Sequence, residues 1–269
     1  MDASPSIVMR RFRRFRAFLA TLRELGRRGR ILPKVHSALT TRRRRRLQEE
    51  MLRELHPEHL SPAWFVQAEG RFAPHGVVHY RRDAAICDPR FTWEMARGAD
   101  RMALSANGYA IPYSQILTEK HFTPKSILEI GILDGSGLAV WGEAFPNAKL
   151  FGIDFTFDPY LANLPKLLSL GAFARTSPQI YLMDVREPDI AKLQGLSACA
   201  GSIDLVIDDG PHTHEAIECM ARALSPYLSP EFLYIIEDNP GCLSTARRLF
   251  GERALVFRQG GLVIVDGRS

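Results

Sequence analysis

The sequence predicts an α/β fold: a doubly wound, mostly parallel sheet with a C-terminal antiparallel hairpin, preceded by a helical basic N-terminal arm. Three observations carry that expectation. Short apolar strands alternate with helical patterns from residue 126 onward, a glycine-rich turn interrupts the first of these alternations, and the charge is divided sharply along the chain.

The arm comes first. Residues 1–46 hold fourteen Arg and one Lys against Asp2 and Glu24, a net of +13, which leaves −8 for the rest of a chain whose total is +5. Phe12, Phe15, Leu19 and Leu22 recur at three- and four-residue steps, so 9–26 reads as a helix ended by Gly26 and Gly29. A second helical stretch at 37–55 contains the run Arg42 to Arg46 and stops before Pro57. Such a basic segment suits an anionic partner, such as phosphate or a membrane surface, or contacts with a second copy that make a homo-oligomer. In a eukaryote its Arg-rich, acid-poor composition would also suit a mitochondrial transit peptide; otherwise the expected location is the cytoplasm.

Residues 57–125 form a cap or lead-in punctuated by Pro57, Pro62, Pro74 and Pro89. Beyond it, strands are expected at 126–130, 149–153, 179–183, 205–207 and 232–236, with helices between most of them. The segment 254–257, the turn Gln259-Gly260-Gly261 and 262–265 read as the edge hairpin. The expected organisation is therefore an arm at 1–56, a lead-in at 57–125 and a catalytic domain at 126–269. A hydrophobic fraction of 46% supplies an ordinary core. No run approaches the roughly 18 apolar residues of a transmembrane helix. Cys87, Cys199, Cys219 and Cys242 lack metal-binding or disulfide spacing, which fits a reducing compartment.

Two clusters carry chemistry. In the first, Glu129, Gly131 and Gly135 form an ExGxxxG turn between a strand and a helix. Glycines there let backbone approach a ligand closely. Asp154 follows Gly131 by 23 residues, at the end of the next strand, where a carboxylate can accept both hydroxyls of a ribose. Asp184 follows the third strand, where by position alone it reads as a helix cap.

In the second cluster, Asp208-Asp209-Gly210-Pro211-His212 ends one buried strand, and Glu237-Asp238 ends the next. Adjacent parallel strands deliver their C-terminal ends to one sheet edge, so Asp209, Glu237 and Asp238 are expected to converge. Crowded carboxylates repel one another, and a hard divalent cation such as Mg²⁺ relieves that repulsion. The bland alternative is that these acids cap helices and pair with Arg222 or Arg247.

The ExGxxxG turn resembles the first motif of the class I methyltransferases, and the stretch 100–238 resembles the metal-dependent sugar O-methyltransferases of macrolides and the related cephalosporin hydroxylase-like proteins. The likeness rests on Leu128-Glu-Ile-Gly131, Trp141, Phe145-Pro146, Asp208-Asp-Gly-Pro-His212 and Ile236-Glu-Asp238, with Tyr109 and Tyr113 as an upstream aromatic pair. Pro211 replaces a usual serine, and Arg101 stands where a lysine is common. The resemblance implies a Rossmann-like fold that binds S-adenosylmethionine through the Glu129–Gly135 turn, Asp154 and Asp184. It implies Mg²⁺ on Asp209, Glu237 and Asp238, with His212 as the base. Free imidazole, with a pKa near ~6.5, suits proton removal at neutral pH. The acceptor would be a hydroxyl of a small molecule, a sugar or natural product. Two other functions are weighed: an RNA methyltransferase that grips phosphates through the arm, and a non-catalytic interaction protein with a degenerate catalytic domain.

Overall fold

The computed structural model describes residues 57–73, 101–104, 106–119 and 122–268. The arginine-rich helices expected at 9–26 and 37–55 lie outside the described residues.

Seven strands form one sheet: β1 Ser126–Ile130, β2 Lys149–Asp154, β3 Gln179–Leu182, β4 Ile203–Asp208, β5 Leu228–Ile236, β6 Leu255–Gln259 and β7 Leu262–Asp266. Their order is β3-β2-β1-β4-β5-β7-β6. The first five pair in parallel, and β7 runs antiparallel between β5 and β6. The doubly wound sheet and its terminal hairpin are thus as the sequence predicts. Chain order reverses between β1 and β4, and the crevice outside such a switch point is where ligands bind in open α/β sheets.

Among the described residues the helices are α1 Pro62–Phe72, α2 Ala110–Thr118, α3 Ser136–Ala144, α4 Asp158–Ser169, α5 Ile190–Ala200, α6 His214–Leu224 and α7 Leu243–Phe250. Because side chains alternate across a strand, β4 divides its residues between two cores. Leu205 and Ile207 pack with α1, α2 and α3, whereas Val206 packs with α5, α6 and α7. The lead-in contributes directly to the first core. Tyr113 of α2 and Phe65 of α1 lie 5.0 Å and 6.1 Å from the ring of Trp141 on α3, centroid to centroid.

Strands β4 and β5 start earlier than their apolar runs suggest, at Ile203 and Leu228. Asp204 hides the start of β4 in the sequence. Its carboxylate accepts from the backbone N–H of Lys125 at 2.7 Å and of Ser126 at 3.2 Å, so a polar residue is satisfied inside the sheet. Ser229, Pro230 and Glu231 disguise β5 in the same way.

Candidate active site

The β1–α3 turn is built around glycine for reasons internal to the chain. Gly131 has φ +81° and Gly135 φ +77°, a region that side chains rarely enter. A Cβ on Gly131 would overlap the Asp209 carbonyl, and one on Gly135 would lie 2.8 Å from Cε2 of Tyr160. Three backbone bonds continue the ladder one residue past the strands: Gly131 N–H to Ile153 O at 2.8 Å, Asp209 N–H to Ile130 O at 2.9 Å, and Glu237 N–H to Asp208 O at 2.9 Å. They hold Gly131, Asp209 and Glu237 in line along one edge.

Asp154 ends β2 and is buried, with Oδ2 accepting from the Leu133 N–H at 2.9 Å and Oδ1 from the Thr156 N–H at 3.3 Å. Burial pushes its pKa up, and these N–H donors pull it back. Leu133 and Phe155 stand exposed beside it. Asp184 lies further out, on an Arg186 side chain that reaches it at 2.7 Å and holds it below the usual carboxylate range. Asp189, not Asp184, caps the following helix.

The ends of β4 and β5 bring Asp209, His212 and Asp238 together. One ligand atom each from Asp209, His212 and Asp238 lies within 4.8 Å of the others. His212 Nε2 is 3.7 Å from Asp209 Oδ1 and 3.9 Å from Asp238 Oδ2. His212 (φ +56°) and Asp238 (φ +53°) both have left-handed backbone, and the Thr213 hydroxyl caps α6 immediately afterwards. Glu237 sits behind this trio. One of its oxygens accepts from the Tyr113 hydroxyl and the other lies 3.1 Å from Arg101 Nε. Tyr109 donates to Asp238 Oδ1 from the same lead-in segment.

Arg101 is the residue whose role the sequence understates. Its guanidinium bridges Glu129 at 2.7 Å, Glu237 and Asp209, while only 11% of the side chain is exposed. A Cβ on Gly137 would lie 2.6 Å from Arg101 Nη1, so that glycine makes room for it. Burial alone would lower the arginine's pKa, but Glu237, Asp209 and Glu129 together raise it well above its ordinary value. One guanidinium cannot neutralise three acids. Burial therefore pushes Glu129 up to about 7 and Glu237 well above its usual range, against the pull of Arg101 on both. Oε2 of Glu129 is buried without a hydrogen-bond partner. The acids do have a basic partner, as the bland alternative supposes, but a different one: Arg222 pairs with Glu218, and Arg247 reaches the Val256 carbonyl.

No family model matches the chain. By sequence it is similar to the 8-demethyl-8-alpha-L-rhamnosyl tetracenomycin-C 2'-O-methyltransferase of Streptomyces olivaceus, 27% identical over 132 residues, covering 45% of this chain and 31% of that protein. The mycinamicin VI 2''-O-methyltransferase of Micromonospora griseorubida is 27% identical over 119 residues, 42% of this chain and 26% of that protein. The demethylmacrocin O-methyltransferase of Streptomyces fradiae is 30% identical over 119 residues, 42% and 27%. The chain spans less than a third of the length of these relatives. Among solved structures, the MycE methyltransferase from the mycinamycin biosynthetic pathway, in complex with Mg and SAH, is 20% identical with a TM-score of 0.45, covering 59% of this chain and 49% of that one. The fold is a mostly parallel, doubly wound α/β sheet of seven strands that ends in an antiparallel hairpin. These three relatives by sequence are all O-methyltransferases, one of them of a rhamnosyl tetracenomycin.

Proposed function

We propose that this chain is an S-adenosylmethionine-dependent, Mg²⁺-dependent O-methyltransferase acting on a hydroxyl of a glycosylated small molecule. The observation that carries this reading is the sheet edge itself. A glycine turn and a buried strand-end carboxylate stand beside two open carboxylates and an imidazole that face one another.

The residues fit both groups. Asp154 presents its carboxylate at the end of β2 for a ribose, with Leu133 and Phe155 exposed beside it for a flat base. Glu129 and the backbone of Gly131 to Gly135 would hold the methionine side, and Asp184 the adenine side. Four acids, Glu129, Asp209, Glu237 and Asp238, against a single arginine leave an excess of negative charge suited to a hard divalent cation at Asp209 and Asp238, with Glu237 behind them. When bound, the cofactor supplies an electrophilic methyl group and the metal acidifies and orients the acceptor hydroxyl. His212 Nε2 faces the open oxygens of Asp209 and Asp238 and takes the hydroxyl proton. Tyr109 and Tyr113 fix the carboxylates, and the residues around them form the acceptor's wall.

No helix among the described residues is long and apolar enough to cross a membrane. We place the enzyme in the cytoplasm, with the +13 segment contacting an anionic partner or a second copy. The test is methyl transfer from radiolabelled S-adenosylmethionine to rhamnosylated polyketides, glycosylated macrolides and RNA, with and without EDTA. Label in a glycoside, abolished by EDTA and restored by Mg²⁺, is the expected result. Label in RNA alone, or transfer unaffected by EDTA, overturns the reading.

A further inference from the structure

Tyr160, Asn163 and Leu167 follow one another at three- and four-residue steps along α4, so they share one stripe of the helix, and all three are buried. A buried amide such as that of Asn163 costs stability unless it is hydrogen-bonded. Its Nδ2 donates at 3.0 Å to the Asp134 carbonyl, across 29 residues, in the turn between β1 and α3. Tyr160 and Leu167 meet the same turn one residue further on. A Cβ on Gly135 would lie 2.5 Å from Tyr160 Cδ2 and 3.2 Å from Leu167 Cδ1. The stripe therefore closes on two consecutive residues of the glycine turn.

That turn has a conformation that must be imposed. Gly131, Leu133 and Gly135 all have positive φ, at +81°, +50° and +77°. Glycine enters this region freely, whereas a leucine stays there only when its surroundings hold it. Two bonds are local: the Gly135 N–H reaches the Ile132 carbonyl at 2.7 Å, and the Ser136 N–H reaches the Asp134 carboxylate at 2.9 Å. Two come from other elements and flank the leucine. Asp154, at the end of β2, accepts from the Leu133 N–H at 2.9 Å, and Asn163, on α4, holds the carbonyl of the next residue.

We propose that Asn163 is a positioning residue for the cofactor: its amide fixes the Asp134 carbonyl, so that Leu133 keeps its left-handed conformation and the turn has its binding geometry before S-adenosylmethionine arrives. A site whose competent form is only partly populated loses affinity in proportion to that fraction. Helix α4 thereby acts on the cofactor through the turn. This inference rests on the S-adenosylmethionine reading above.

The experiment measures S-adenosylhomocysteine binding by calorimetry, well below the melting temperature, in the full chain, Asn163→Ala, Leu133→Asn and the two combined. Asn163→Ala is expected to weaken binding about tenfold, the effect of a turn competent in about one molecule in ten. Unchanged affinity in the folded variant overturns the proposal. Asparagine tolerates left-handed backbone better than leucine does. In the Leu133→Asn background, Asn163→Ala should therefore cost about threefold or less, because the two changes act on one conformation. An equal or larger loss there overturns the proposal, since a role in packing alone would not depend on the backbone preference of residue 133. The apolar side chain lost in Leu133→Asn is missing from both members of that comparison and cancels. A second readout needs no ligand. In the unliganded protein, amide hydrogen exchange at Gly135 and Ser136 should quicken in Asn163→Ala while β1 and β2 keep their protection, and unchanged exchange in the turn overturns the proposal. Should Asn163→Ala not fold, Asn163→Asp, which keeps the volume and lacks the donor, is read in the same way. An unsubstituted chain without affinity for S-adenosylhomocysteine overturns the cofactor reading as well, a result distinct from loss confined to the Asn163 variants.

Discussion

Glu129 is pulled two ways at the residue scale, by burial and by Arg101, and its net shift makes stability depend on pH. Its pKa is raised from 4.5 to about 7 in the folded chain. Below the unfolded value both states hold the proton and the full contribution is present. As pH rises toward 7 the unfolded chain releases the proton first, so stability falls, by about 3 kcal/mol for a shift of this size. Asp208, raised to about 6 by burial, acts in the same direction over a lower window. Urea denaturation between pH 4.5 and 8 should show this decline, and Glu129→Gln should flatten it; an unchanged slope in the variant would contradict the assignment. Gly131→Ala carries a second prediction. A left-handed φ and an overlap with the Asp209 carbonyl together should cost about 2–4 kcal/mol in the same assay. The positions of Glu129, Gly131, Asp154, Asp209, Glu237, Asp238 and His212 at the sheet edge were legible because strand-end spacing is a local signal. The partners were not. Arg101 meets Asp209 across 108 residues, and Tyr113 meets Glu237 across 124, separations at which spacing carries no information.

At the scale of elements, the segment between β4 and α6 sets the direction of His212. Ile130 pairs with Asp208 and Asp208 with Ile236, so the register alone brings Asp209 and Glu237 abreast. The turn must then be short, and the Thr213 hydroxyl fixes its end by accepting from the Ala216 N–H at 3.2 Å. The Asn239 side chain donates to the His212 carbonyl at 2.8 Å and ties this turn to the one after β5. His214, the rival histidine two positions on, is the first residue of α6 and is exposed, outside the group that faces the carboxylates. Thr213→Ala should cost about 1 kcal/mol of stability by removing the cap. It should also lower kcat more than the affinity for S-adenosylhomocysteine, whose proposed determinants lie on β1 and β2. Calorimetry beside kinetics tests this, and equal losses in both would mean that the turn is not separately poised. The strands themselves were legible wherever apolar runs were unbroken. The starts of β4 and β5 were not, because Asp204 and Glu231 are polar residues inside pairing segments.

On the scale of the whole molecule, the lead-in and the sheet share one core. Phe65, Phe72, Tyr113, Ile116 and Leu117 are each at most 1% exposed and belong to the same cluster as Trp141, Leu205 and Ile207. Composition could not reveal this, since prolines and a change of rhythm before residue 126 look the same for a separate cap and for helices laid on the sheet. Burial of a large apolar side chain contributes roughly 1.5–3 kcal/mol, so these five contribute on the order of 10 kcal/mol, as much as the net stability of a typical domain. The lead-in also brings Arg101 to three acids that would otherwise face one another. Two truncations separate its contribution from that of the basic arm. Removing residues 1–56 takes away the arginine clusters and none of these contacts, so the melting temperature and S-adenosylhomocysteine binding should be retained. Removing residues 1–120 exposes the Trp141 face and strips the counter-ion from Glu129 and Glu237, so that fragment should aggregate or show no cooperative melting transition. Differential scanning calorimetry decides the matter: a cooperative transition in the 121–269 fragment, at the temperature of the full chain, would mean that the sheet needs neither the helices nor the arginine that the lead-in places on it.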